Sequence, residues 1–258
     1  MFYLIQNNIF ADPRYDKIFE TLDALSLPYE VVKLRPFEDS IEFTTTRADV
    51  FVYGSVKLAR LATQYGWQPG SFYGGNHHYE AYASHYKEHL LNYNSTVCLV
   101  SDALHWREGE EKFIRPGRDA KVFTGKKFTR TKWEDFVAHS LADAQSHLKH
   151  NTVIQVTTPK KIYKEARTWI VDGKVVTSSY YMFHGDADYE ENVAAEGIAF
   201  AQSMAALFEV AKAFVMDICL TAEGWKIVEV NCINSAGFYK ADLHKMVEAL
   251  ENAFNAGE

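Results

Sequence analysis

The tightest constraint on this chain is residues 214–231, where two apolar runs flank Ala222-Glu223-Gly224. Apolar runs separated by a short glycine-containing turn read as a β-hairpin. With Ala222, Glu223 and Gly224 as a three-residue loop and Gly224 left-handed, Thr221 faces Trp225, and counting back sets Asp217 opposite Glu229. Alternation then puts Asn231 on the Glu229 face, and Phe214, Met216, Ile218, Leu220, Val228 and Val230 on the other, with only Lys226 out of place there. Like charges directly opposite destabilise a hairpin, so a cation between them is expected. Two carboxylates and an amide offer the hard oxygen donors that magnesium takes together with phosphate oxygens. A solvated hairpin with its acids turned to water has the same spacing.

Such a hairpin needs a core behind it, and 258 residues, at a prior of about 150 per domain, allow one to two domains. Hydrophobic residues at 47% and charged residues at 24% exclude a disordered chain. A net charge of −7 excludes binding of nucleic acid through the whole surface, which leaves only a local patch. Residues 107–132 are that patch, with nine Lys and Arg against four Asp and Glu.

No apolar run approaches the roughly 18 residues of a membrane span, and the start lacks a signal peptide's basic flank and cleavage site, so a cytoplasmic protein without a membrane partner is expected. Cys98, Cys219 and Cys232 have no zinc or disulfide spacing and read as buried apolar side chains. His77 and His78 are adjacent, which favours a loop or surface position over a metal site.

The patterns along the chain are those of an α/β fold. Residues 2–6, 29–34 and 49–53 read as strands, with a helix opened by Asp12-Pro13 and a second following Gly54-Ser55. A glycine-rich loop at 66–76 sets a boundary near 85. Residues 86–150 carry strands at 96–100 and 112–115, a turn-rich stretch at 116–129 and a helix that Thr131 caps. Residues 151–258 carry a strand at 153–156, a hairpin across Asp172-Gly173, a long helix at 190–208, the carboxylate hairpin and a closing helix at 242–254.

The hairpin, Phe214-Val215-Met216-Asp217 with Ile227-Val228-Glu229-Val230-Asn231, resembles the metal-binding hairpin of the ATP-grasp superfamily. The likeness is to its glutathione-synthetase-like and ribosomal-protein-modifying ligases, among which short phage and bacterial members look closest. The order of segments is similar too. Residues 152–156 look like the hinge strand beside adenine, residues 165–176 like the acid-x-Arg strand and its hairpin, and residues 113–125 stand in place of the Lys-Pro strand and phosphate loop. Arg115 occupies the usual lysine position, and its guanidinium can still contact phosphate bidentately.

The resemblance implies an ATP-grasp fold with a small N-terminal α/β layer at 1–85, an N-lobe at 86–150 and a C-lobe at 151–258. It implies an ATP- and Mg2+-dependent ligase that joins a carboxylate to an amine through an acyl phosphate, on a peptide, amino acid or related acid, with a macromolecular acceptor also open. A phosphotransferase and a nucleotide-binding module without turnover are the competing readings. Asp217, Glu229 and Asn231 are the implied metal ligands, and Arg115, Lys121 and Arg167 the implied phosphate contacts, with Arg115 and Arg167 catalytic. Gln155 and Val156 would border adenine, Glu165 would reach ribose or orient Arg167, and Asn234, Ser235 and Tyr239 would border the acceptor. Larger relatives carry an arginine after residue 178, where this chain has Tyr180 and Tyr181; His184 and Asn192 are nearby candidates for its role.

Overall fold

A computed structural model describes residues 1–7, 12, 14–35, 40–117 and 122–254 of the chain. Lys121 and Pro13 lie outside the described residues.

The N-terminal layer is a three-stranded parallel sheet of β1 (Phe2–Gln6), β2 (Tyr29–Val32) and β3 (Val50–Tyr53), in the order β2-β1-β3. All of β3 and most of β1 are buried, as continuous apolar runs in a parallel sheet should be. Helix α1 (Lys17–Ala24) turns Ile18 and Leu22 inward, one helical turn apart. It begins at Lys17 and not at Asp12-Pro13. The Asp12 carboxylate accepts instead from the backbone N–H of Arg14 and of Phe238, both at 2.8 Å, and so ties residue 12 to residue 238. Helix α2 (Val56–Gln64) is capped by the Ser55 hydroxyl, which accepts from Leu58 N–H.

Helix α3 (Tyr79–Tyr86) follows the glycine-rich loop and buries Tyr79, Tyr82 and Tyr86. Its inner face is made of tyrosines, which hides it from a search for aliphatic periodicity.

The middle sheet is antiparallel, with order β4-β7-β5-β6 from β4 (Thr96–Leu99), β5 (Glu111–Pro116), β6 (Lys126–Thr129) and β7 (Val153–Thr157). Strand β6 lies inside the stretch expected to be turns. Thr129, not Thr131, caps α4 (Arg130–Ala142), and Trp133 from α4 packs with Ile114, Phe128 and Ile154. Strand β7, grouped by sequence with residues 151–258, is hydrogen-bonded into this middle sheet between β4 and β5.

The third sheet, also antiparallel, has the order β10-β9-β8-β11-β12. It comprises β8 (Lys164–Val171), β9 (Lys174–Phe183), β10 (Asp186–Glu190), β11 (Ala213–Thr221) and β12 (Gly224–Cys232). Helix α5 (Ala195–Leu207) is shorter than expected because residues 186–190 pair back onto β9, through a turn where Gly185 has φ +95°. One face of the sheet packs under α3 and α5 through Phe214, Met216, Ile218 and Ile227. The other face carries Trp169 and Val215 against β1, β3, α1 and α6 (Leu243–Phe254), so the N-terminal layer shares a core with the large sheet.

Candidate active site

The carboxylate hairpin closes more tightly than a three-residue loop. Thr221 pairs with Gly224 across a two-residue turn, and Gly224 holds φ +98°. A β-bulge then lies between Asp217 and Ile218: Ile218 pairs with Ile227, Asp217 with Glu229, and Val228 is the extra residue. The shorter turn removes one residue and the bulge restores it, so Asp217 still stands opposite Glu229.

Between turn and bulge the faces are exchanged relative to the simple count. Ile227 is fully buried in the core, Val228 lines the cleft, and Lys226 leaves the apolar face to donate to Glu88 O at 2.9 Å. The bulge thus accounts for the one residue that was out of place.

Each carboxylate meets an arginine. On β8, Arg167 pairs with Asp217 across the sheet, and its Nε and Nη2 both donate to the buried carboxylate at 2.8 Å. This is the bidentate geometry that suits a guanidinium. On β5, Arg115 forms an ion pair with Glu229 and donates to Val228 O at 3.4 Å. Asn231 joins both acids, with Nδ2 donating to Glu229 at 2.8 Å and reaching Asp217 at 3.4 Å. The cations that relieve the facing charges thus come from two different sheets.

Arg115, Arg167, Glu229 and Asn231 line a cleft of about 590 Å³ between the middle and large sheets; Asp217, held by Arg167, is buried and does not line it. Glu165 lies two residues before Arg167 on the same face of β8 and accepts from the Tyr181 hydroxyl at 2.8 Å. Burial raises its pKa; the Tyr181 hydrogen bond opposes that rise, and the Asp217 charge adds to it.

Tyr239 stacks on Tyr181 and Tyr189 with ring centroids 5.1 and 5.4 Å apart, and the Arg167 guanidinium sits 5.0 Å from the Tyr239 ring. Burial pushes the pKa of both Tyr181 and Tyr239 up, so both stay neutral donors. Burial works against the Arg167 charge, but Asp217 outweighs it and holds the guanidinium charged.

The other expected site residues divide by direction. Arg115, Gln155, Glu165, Arg167, Glu229, Asn231, Ser235 and Tyr239 line the cleft. The Gln155 side chain is buried and donates to Ser95 Oγ at 2.8 Å and Asn92 O at 3.3 Å, so it braces β7 against the loop before β4. Val156 does not line the cleft; it is buried behind the middle sheet, and its strand is paired on both sides.

Asn234 is also turned away from the cleft. It donates to Val52 O at 2.7 Å and accepts from Phe72 N–H at 2.9 Å, with all but 1% of its surface buried. It clamps the loop after β12 to the N-terminal layer. His184 and Asn192 do not line the cleft either.

Of the described basic residues in 107–132, only Arg115 reaches the cleft. Lys112 pairs with Glu110, Arg130 with Glu134, and Lys126 lies over Phe128 and Phe136. Gly125 is needed for close approach, because a Cβ there would stand 2.8 Å from that of Arg115.

Sequence reasoning passed over three contributors. His77 is buried at the cleft wall, in the short 3-10 turn before α3. Tyr181 is visible in sequence only as a departure from an expected arginine, and Arg14 carries no motif at all.

Residues 42–250 match the model of an ATP-grasp domain family, the third family of its clade. The chain belongs to the ATP-grasp superfamily. No curated protein sequence matches it. Solved structures agree on the fold. D-alanine–D-alanine ligase from Bacillus anthracis, complexed with ATP, aligns with TM-score 0.61 at 13% identity over 98% of this chain and 91% of its own. D-cycloserine synthetase DcsG aligns with TM-score 0.61 at 12% identity, over 97% and 98%. The ATP-grasp ligase PsnB, complexed with a minimal precursor, aligns with TM-score 0.57 at 14% identity, over 96% and 97%. In this ATP-grasp chain the carboxylate hairpin is the floor of the cleft and β5 its roof. No helix among the described residues is long and apolar enough to cross a membrane.

Proposed function

We propose that the chain is an ATP-dependent carboxylate–amine ligase acting through an acyl phosphate. The observation that carries this reading is the pairing of Asp217 with Glu229 across the hairpin, Glu229 in the cleft wall and Asp217 buried beneath Arg167, each faced by an arginine from a different sheet. Carboxylate and triphosphate are both anions, so their approach needs fixed positive charge.

The donor set fits magnesium. Asn231 is within hydrogen-bond reach of both Asp217 and Glu229, and each carboxylate oxygen keeps a lone pair beyond its arginine contact. Turning the Asn231 amide over would present its oxygen instead of its nitrogen. Magnesium bound there would neutralise charge between the triphosphate and the incoming acid. Glu229 and Asn231 are the accessible ligands, while Asp217 is held in place by Arg167.

The substrate carboxylate attacks the γ-phosphorus and the bond to ADP breaks. An amine then attacks the acyl carbon, phosphate leaves, and the ammonium proton passes to solvent. Arg115 is the phosphate contact, because its partner Glu229 is part-exposed and can exchange it for a ligand. Arg167 positions Asp217 and borders the reacting end beside Tyr239. Lys121 is a further phosphate contact in this reading. Gln155 shapes the adenine end through its brace to Asn92 and Ser95. Ser235 and Tyr239 border the acceptor. The ligases of like fold include one seen with a precursor peptide and one that makes D-cycloserine, which supports a peptide or amino-acid substrate.

The test is release of ADP and phosphate from ATP and magnesium across pools of amino acids and short peptides. Release that requires both acid and amine supports a ligase. Phosphate retained on the acceptor would make the chain a phosphotransferase instead.

A further inference from the structure

A second cavity of about 440 Å³ opens beside the cleft, and Arg14 lines both. Its wall includes four consecutive residues of β9, Val175, Val176, Thr177 and Ser178. Side chains alternate along a strand, so a cavity on a sheet face touches every second residue; four in a row mean that this one runs along the strand's edge. That edge is open. Strand β10 pairs with β9 only from Tyr180 to Phe183, and no strand lies beside 176–178 on that side among the described residues. An open edge beside a slot suits an extended backbone.

The charges lining the slot are Arg14, Lys240 and Lys245 against Glu191 and Asp242. Lys245 is tied to Asp242 at 3.3 Å. Arg14 and Lys240 are half-buried and have no ion-pair partner among the described residues. In a chain of net charge −7, two such cations at one junction attract an anionic group.

We propose that the second cavity is a subsite for an extended peptide substrate, which lies along the 176–178 edge and places an acidic side chain on Arg14 and Lys240. This rests on the ligase reading, with the reacting end of the same molecule in the main cleft.

The test is fluorescence polarisation with a labelled Glu-Ala-Glu-Ala-Glu-Ala peptide, its Gln-Ala counterpart and unlabelled free glutamate as competitor. It uses the full chain and its Lys240→Glu and Arg14→Ala variants. The wild type is expected to bind the acidic peptide at least tenfold more tightly than the glutamine peptide, and each variant to bring that preference within about twofold. Free glutamate should compete only weakly.

No preference in the wild type, or a preference kept in both variants, overturns the proposal. Competition by free glutamate as strong as by unlabelled acidic peptide would make the site one for a small acid and overturn it equally. Thermal stabilisation by ATP and magnesium, measured in parallel, should be the same in Lys240→Glu as in wild type. Its absence from the wild type would count against the ligase reading and not against the peptide result.

Discussion

The β11–β12 hairpin and the loop that follows it, residues 233–239, adjoin in sequence and both carry polar side chains, yet they use them in opposite ways. In the hairpin, Glu229 and Asn231 reach the cleft and Asp217 lies buried beside Asn231 on the same face, because the pleat aims alternate side chains to one face. In the loop no period applies. Asn234 turns inward to close backbone groups of the N-terminal layer, whereas Tyr239, held at φ +51°, turns into the cleft beside Arg167. A polar residue on a strand thus announces its direction, and one in a loop takes the direction its neighbours impose.

Substitutions can break this contrast. The largest stability loss is expected from Arg167→Ala. It leaves the Asp217 carboxylate buried without its counter-charge, which costs about 3–5 kcal/mol. Urea unfolding measures it, and a loss below about 1 kcal/mol would show that Asp217 finds another partner.

Asn234→Ala comes next, at about 1–3 kcal/mol, because Val52 O and Phe72 N–H lose their partner away from water. Turnover per folded molecule should stay near wild type, as expected of a clamp outside the cleft. A variant of full stability and altered substrate preference would return Asn234 to the acceptor site.

The legible parts of the molecule were those governed by local rules. The alternating and continuous apolar runs mark nearly all the strands, and the Asp172-Gly173 and Ala222-Glu223 turns mark their hairpins. The opposition of Asp217 to Glu229 followed from counting, although the count succeeded only because a two-residue turn and a bulge at Val228 offset each other. Ladder pairing and core packing fix that bulge, and the residues themselves do not show it. The pairing of β7 with β5, the arginine partners of the two acids and the tyrosine stack on Tyr239 all depend on contacts between distant segments, which no local pattern encodes.

The smallest expected effect concerns Glu165. Its folded pKa is raised, so the native state binds the proton more tightly than the unfolded chain does. Protonated Glu165 therefore costs nothing at low pH, and stability falls as pH rises from the unfolded carboxylate value near 4.5 through the higher folded value. Glu165→Gln removes that term. Its melting temperature relative to wild type should rise between pH 4 and pH 8, measured by differential scanning fluorimetry at both. A difference that stays flat or falls would mean that the Tyr181 hydrogen bond outweighs burial.

The central claim is that the paired carboxylates of the hairpin serve the chemistry and not the fold. Glu229 tests it most directly, because its side chain is part-exposed and Gln can keep the contact with Asn231. Magnesium-dependent ATP turnover of Glu229→Gln should fall at least a hundredfold while its melting temperature stays within a few degrees of wild type. Turnover within twofold of wild type in the folded variant would contradict the account.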